Sequence, residues 1–300
     1  MQCLKPISIE NPDYDSQNEC FDKRIFVPCG KCAACIVNSA NEWRVRLQEE
    51  FYNSDSAYFI TLTYSDEFIP LQTVSNSLGD SRIAAVVSKR DIQLFLKRLR
   101  KHFEPAKIRY FLVSEYGPNT LRPHYHAIVF NLPFGYGDTE ITCAQINKVI
   151  RQIWNRGNVL VDPVTYGRIS YVTKYMSCVT DLPEDLPRPF RLMSRRPGIG
   201  SSYFSRSRII DWHHDNLTNY YFYKGSKLRL PRFYRDKIYS DDERKQIKLL
   251  TLNFAENEQR KEESLSRSFG FDSWLSYRES QRTTFERKFQ LKMKKNRKDL

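Results

Sequence analysis

The pair of runs "KIRYFLVSEYG" and "RPHYHAIVF" constrains this chain more than any other feature. Both are rich in aromatic and β-branched residues, and Gly117 and Pro118 stand between them. This pattern predicts two antiparallel strands joined by a turn. With the turn centred near residues 119 and 120, Glu115 falls opposite His124. Side chains alternate along a strand, so His124 and His126 share a face and Tyr125 points to the other. Glu115, His124 and His126 then converge on one patch of sheet, close enough to share an ion. Two imidazoles and a carboxylate suit a divalent cation such as Mg²⁺ or Mn²⁺, with positions left open for substrate oxygens. The plainer reading is two surface histidines on a half-exposed strand; the glutamate in register favours the metal.

Other elements arrange themselves around this hairpin. "AYFITLTY" (57–64) reads as a strand. "SKRDIQLFLKRLRKHF" (88–103) reads as an amphipathic helix, with Ser88 as N-cap and Ile92, Phe95, Leu96 and Leu99 on one face. Helices are predicted over 142–155 and 166–178, with a short strand, "GNVLVD", between them. "SANEWRVRLQEEF" (39–51) reads as a helix started by Ser39 and Glu42 at capping-box spacing. Residues 1–35 read as irregular and 65–87 as a long connection. A hairpin is predicted within "YYFYKGSKLRLPRFY", and the last sixty residues read as helical from Ser240, with Glu243 again at capping-box spacing. The order strand, helix, strand, strand, helix, strand predicts an α+β fold, a ferredoxin/RRM-like antiparallel sheet with helices on one face.

Charge narrows the class of partner. Lys and Arg number 48 against 35 Asp and Glu, a formal charge of +13. Such a surplus favours a polyanion, because each neutralised phosphate releases counterions. The 19 Phe, 18 Tyr and 4 Trp include candidates for stacking on unpaired bases, although most belong in a core. The N-terminal run has no apolar stretch of the secretory type, and no segment approaches a membrane span. No G-x-x-x-x-G-K-[ST] phosphate loop occurs, so no helicase motor is recognisable.

Two further clusters carry chemistry. Cys29, Cys32 and Cys35 have C-x2-C-x2-C spacing, which in a reducing compartment points to bound metal. Tetrahedral zinc needs a fourth ligand, and Cys3 or Cys20 is available. An iron–sulfur centre competes, but the bacterial ferredoxin run would need cysteine where Ser39 stands. Cys143 and Cys178 read as small apolar residues, and His213 and His214 as surface residues that diverge on a helix. Tyr171 and Tyr175 are four apart in "YVTKYM", with Lys174 between them. On a helix they share a face, which suits either packing or phenol attack on phosphorus. Arg122, at the head of the second strand, and Arg195 and Arg196, in "SRRPGIGSSYF", are candidate DNA contacts. The glycines of that segment suit close approach to a phosphate or simply a tight turn.

Taken in order, "FITLTY", "RPHYHAIVF" and "YVTKY" resemble the HUH endonuclease family, the rolling-circle replication initiators. "PCGKCAAC" and "MSRRPGIG" look like the initiators of gokushovirus-like Microviridae, small single-stranded DNA phages. The resemblance implies an HUH endonuclease fold over 55–205, a Cys-rich arm over 1–54 and a C-terminal hairpin and basic helical region over 206–300. It implies that Glu115, His124 and His126 hold the catalytic metal, that Tyr171 and Tyr175 are the two nucleophiles and that Lys174 assists them. It also makes Cys3 the fourth zinc ligand, beside Cys29, Cys32 and Cys35. The implied activity is nicking of origin single-stranded DNA through a 5′-phosphotyrosine link, with a 3′-OH left as primer. Host helicase and polymerase are then partners, in the cytoplasm of a bacterial host. Relatives carry basic residues after the second tyrosine, where this chain reads "MSCVTD", so DNA contacts there are in doubt. A non-catalytic single-strand binder, and an HUH transposase or relaxase, are the alternatives.

Overall fold

A computed structural model describes residues 3–12, 14, 23–134, 139–175, 182–223 and 225–298. Cys20, Cys178 and the end of the helix predicted over 166–178 lie outside the described residues. The chain divides into two compact units, one of Trp43–Ser207 and one of Met1–Glu42 with Arg208–Leu300.

The N-terminal residues are not irregular throughout. Strands β1 (Ile7–Glu10) and β2 (Arg24–Val27) pair antiparallel, and helix α1 (Ala33–Tyr52) follows. The helix begins before Ser39, so the capping box expected there is not a helix start. The cause is local: Gly30 turns the chain in the left-handed region (φ 73°), and Ile36 N–H already donates to Cys32 O at 3.0 Å.

Strand β3 (Ala57–Thr63) comes next. The expected connection over 65–87 contains a hairpin, β4 (Leu71–Ser75) and β5 (Ser81–Ala85). Asn76 makes its tight turn, its side-chain oxygen accepting from Leu78 N–H (3.0 Å) and Asp80 N–H (2.9 Å). Helix α2 (Lys89–His102) is capped by Ser88, which accepts from Asp91 N–H. Its four predicted apolar residues, Ile92, Phe95, Leu96 and Leu99, are all buried. Then come β6 (Arg109–Tyr116), β7 (Pro123–Phe130), α3 (Thr139–Trp154), β8 (Val159–Pro163), α4 (Tyr166–Tyr175) and β9 (Arg191–Met193).

Five strands form one antiparallel sheet in the order β8-β3-β7-β6-β9. Helices cover both of its faces, not one. On one face Leu62, Leu112, Tyr125 and Ala127 pack with Phe95 of α2 and Trp154 of α3. On the other, Phe59, Phe111, Ile128 and Phe130 pack with Leu47 of α1 and Ile169 and Val172 of α4. The central strands are apolar on both sides, which requires two covering layers. Each fully buried large apolar side chain contributes about 1.5–3 kcal/mol.

The remaining elements are α5 (Ser207–Asn216), the hairpin β10 (Tyr220–Tyr223) with β11 (Ser226–Arg229), α6 (Arg232–Ile238), α7 (Asp241–Ser268) and α8 (Trp274–Lys298). The capping box of Ser240 and Glu243 is formed at the start of α7. His213 is not a surface residue. It is fully buried in α5, where Tyr239 Oη–H donates to His213 O at 3.3 Å, while His214 stays exposed.

Candidate metal and tyrosine site

The strand register is the one the turn predicts, with Glu115 facing His124 and Val113 facing His126. On the other side of β7, His124 pairs with Thr63 and His126 with Thr61 of β3. Both histidines therefore lie on the α4 face of the sheet, with Glu115. Tyr125 points the other way and is fully buried, its hydroxyl accepting from Ser88 N–H at 2.7 Å. Burial pushes its phenol up to about 12.

His126 Nε2 lies 3.2 Å from Glu115 Oε2. Adjacent ligands on one cation, each about 2.1 Å from it, stand about 3 Å apart, so this pair fits a shared ion. Both rings are oriented through Nδ1: that of His126 lies 3.1 Å from Thr61 Oγ1, and that of His124 lies 2.7 Å from Arg122 O. A carbonyl only accepts, so His124 carries its proton on Nδ1 and keeps the Nε2 lone pair for a ligand. Burial, the largest influence, lowers the His124 pKa, against the raising effects of the Arg122 carbonyl and Glu115. A neutral imidazole is the form that binds metal. The trio is nevertheless not closed. Among the described residues, the set of ligand atoms all within 4.8 Å of one another is the cysteine cluster, and His124 does not complete such a set with Glu115 and His126. His124 packs on Gly117, where an added Cβ would meet its Cε1 at 3.0 Å.

Helix α4 brings Tyr171 over this face. Its ring stands edge-on to His126, with centroids 5.6 Å apart, and edge-on to Phe59 at 5.9 Å. Tyr171 is half-buried, neither lost in the core nor remote from the histidines. Lys174 and Tyr175 lie in the last turn of α4, Tyr175 one turn beyond Tyr171; their side chains lie outside the described residues.

The arginines serve the scaffold as well as the surface. Arg122 donates to Asp66 Oδ1 (2.6 Å) and Tyr64 O (3.0 Å), fastening the end of β3 beside His124. Arg195 and Arg196 are exposed in the turn after β9, where Arg195 bridges Gly198. That turn is gripped from inside. Arg109 donates to Pro197 O and Gly198 O, both at 2.9 Å, and pairs with Glu50, whose other oxygen accepts from Gly200 N–H at 2.7 Å. The Gly200 amide is thus already engaged by a carboxylate of the protein. Sequence reasoning missed Thr61 and the Glu50–Arg109 pair. Thr61 was readable as the cross-strand neighbour of His126; the Glu50 contact, 150 residues from Gly200, had no local signal.

In the other unit, Cys3, Cys29, Cys32 and Cys35 gather with all four sulfurs within 4.8 Å of one another. Cys3 Sγ lies 3.5 Å from Cys29 Sγ and 3.8 Å from Cys32 Sγ. These spacings exceed a disulfide bond, about 2.05 Å. They match the edge of a zinc tetrahedron, about 3.8 Å for Zn–S bonds of about 2.3 Å. Backbone N–H groups of Leu4, Cys29, Lys31 and Cys32 point at these sulfurs, at 3.3–3.4 Å. Burial raises the Cys32 thiol, but amides including those of Cys35 and Leu4 bring it down to about 6. The cluster could hold a zinc ion.

Residues 57–179 match the family model of the replication-associated protein ORF2. The chain is 28% identical over 280 residues to the replication-associated protein ORF2 of Spiroplasma virus 4, covering 80% of this chain and 84% of that relative. It is 27% identical over 293 residues to the replication-associated protein VP4 of Bdellovibrio phage phiMH2K, covering 88% and 87%. Identity to the replication-associated protein ORF4 of Chlamydia phage 1 is 24% over 256 residues, covering 80% of this chain and 61% of the relative. No solved structure matches the chain. The chain is related to the replication-associated proteins of small phages of the gokushovirus-like Microviridae, and its residues 57–179 carry the match to the ORF2 family.

Proposed function

We propose that this protein is a replication initiator that nicks single-stranded DNA at a viral origin by metal-assisted tyrosine attack. One observation carries the reading: Glu115, His126 and Tyr171 meet on one face of the sheet, with the carboxylate 3.2 Å from the imidazole and the phenol ring 5.6 Å from it. A sheet that merely binds nucleic acid has no need of that trio. In this reading residues 55–205 form an HUH endonuclease domain, with a zinc-bearing arm over 1–54 and a C-terminal region over 206–300.

Glu115, His124 and His126 would hold Mg²⁺ or Mn²⁺, which supplies neutralisation of the phosphate oxygens when bound. The Thr61 hydroxyl and the Arg122 carbonyl keep the two imidazoles in the orientation a ligand needs. The Tyr171 phenol oxygen forms a bond to phosphorus as the bond to the 3′ oxygen breaks. The phenol loses its proton and the departing oxygen gains one, leaving a 5′-phosphotyrosine and a free 3′-OH. A phenol with a pKa near ~10 needs help to attack, and Lys174 orients it or the phosphate. After synthesis, Tyr175 attacks the regenerated origin. The released 3′-OH then attacks the first phosphotyrosine, closing the circle and freeing Tyr171. Arg122, Arg195 and Arg196 contact the DNA backbone. The chain lacks a phosphate loop, so a host helicase unwinds and a host polymerase extends, in the host cytoplasm.

The test is incubation with origin single-stranded DNA and Mn²⁺, followed by denaturing electrophoresis and mass spectrometry of the adduct. An SDS-resistant adduct on Tyr171 is expected. No adduct under any divalent metal would leave a non-catalytic binder. Tyr171→Phe should lose most nicking, while Tyr175→Phe should spare the first cut and impair circle closure; equal loss in both would remove that division of labour.

A further inference from the structure

The unit that contains the cysteine cluster also holds a groove that the nicking chemistry does not use. It is a cavity of about 920 Å³, lined from β2, α6 and α7 and by residues near them. Five cations line it, Arg24, Arg232, Arg235, Arg244 and Lys248, against the one carboxylate of Asp236. These cations come from three separate elements, so they extend along the groove and do not focus on one point.

Their local bonding leaves the groove positive. Arg24 is fixed by neutral partners, its Nε donating to Ser8 Oγ at 2.9 Å and its Nη2 to Ser8 O at 3.1 Å. Arg244 is held by Tyr239 O at 2.9 Å and by Asp241. Arg232 pairs with Asp236 at 3.2 Å, but both side chains are largely exposed, and such a pair is weak in water. Arg235 is more telling. Its Nε is buried with no hydrogen-bond partner. Burial lowers its pKa, and Arg229 and Arg232 lower it further. A second buried atom without a partner, Asn219 Oδ1, also belongs to a residue lining the groove. An orphaned donor on a crowded cation is a group that an anion satisfies.

The groove also carries an aromatic platform. Phe26, on β2, lines it and is 76% exposed. A large apolar ring in water beside a row of cations is what an unpaired base and its phosphates require together.

We propose that this groove is a second nucleic-acid surface, binding a single strand with its phosphates along Arg24, Arg232, Arg235 and Lys248 and a base on Phe26. It concerns the unit of Met1–Glu42 and Arg208–Leu300 alone and does not depend on the nicking reading.

The experiment is fluorescence polarisation of a labelled 20-nucleotide oligo-dT with the full chain, in EDTA, over a range of salt. Metal and chemistry are then absent, so its outcome is separate from that of the adduct assay. The variants are Arg232→Ala with Lys248→Ala, and Phe26→Ala, each checked for an unchanged thermal melt. The paired substitution should weaken binding about tenfold. It should also reduce the slope of log affinity on log salt by about 1.4, or ~0.7 for each phosphate no longer neutralised. Phe26→Ala should weaken binding by about fivefold or more, as for one lost stacked base. Lys97→Ala with Lys101→Ala, on exposed α2 positions, removes the same charge elsewhere and should change little. Wild-type affinity and slope in the paired groove variant would overturn the proposal. So would an equal effect from the α2 pair, or competition by inorganic phosphate as effective as that by oligo-dT.

Discussion

The cysteine cluster and the Glu115–His126 pair are opposite kinds of ligand set. In the first, four sulfurs lie mutually within 4.8 Å, and backbone amides surround them. In the second, one carboxylate and one imidazole are 3.2 Å apart, and His124 is held aside by the Arg122 carbonyl. A closed set of four soft ligands fits a metal that holds a fold together. An open, hard, incomplete set fits a metal that must accept substrate oxygens. The lesson is that completeness of the ligand shell, more than residue type, separates a structural site from a reactive one.

The largest expected effect that would break this contrast is on catalysis. His124→Ala and His126→Ala should each reduce metal-dependent adduct formation by at least about 10²-fold, with zinc content by elemental analysis unchanged and the chain still folded. A His124→Ala chain that cuts at full rate would remove that residue from the site. Next, Cys32→Ser should lose the zinc and destabilise its unit by several kcal/mol, read as a lower melting temperature. Zinc retained at one per chain would end the structural role assigned to the cluster. A smaller effect should sharpen the picture. Thr61→Val removes the hydroxyl beside His126 Nδ1 and should weaken Mn²⁺ affinity by about 10-fold, measured by titration of activity.

The smallest effect is on pH dependence in the cysteine-bearing unit. His213 is buried against Tyr239, Thr218 and the neighbouring His214, and burial lowers its pKa to about 4. The unfolded chain, with histidine near ~6.5, takes up the proton first. Stability is therefore full above about pH 6.5 and falls as pH drops from there towards 4, by on the order of 2 kcal/mol. In His213→Gln, the loss of unfolding free energy between pH 7 and pH 5 should shrink. A loss equal to that of the wild type would clear His213 of it.

Much of this was legible in the chain. The facing of Glu115 and His124 followed from alternation and one turn, because strand pairing is a matter of counting. The cap at Ser88, the buried face of α2 and the capping box at Ser240 also follow from short-range spacing. What failed had non-local causes. The second helical layer depends on α1 and α4 closing over Phe59 and Ile128, which no window of the sequence reveals. The β4–β5 hairpin looked like a connection because Leu71 and Ile83 are exposed, so no clean alternation marked it. His213 looked like a surface residue because only the fold supplies its cover.

The order of residues by itself determined which groups share a strand face and which cysteines sit one turn apart, since backbone geometry fixes periods of two and 3.6. The tertiary structure alone decided distances between segments far apart in the chain. It seated the Tyr171 ring against His126, tied Gly200 to Glu50, and brought Cys3 to Cys29. Those contacts arise from burying apolar surface over the whole unit, and a sum over the whole chain leaves no local trace.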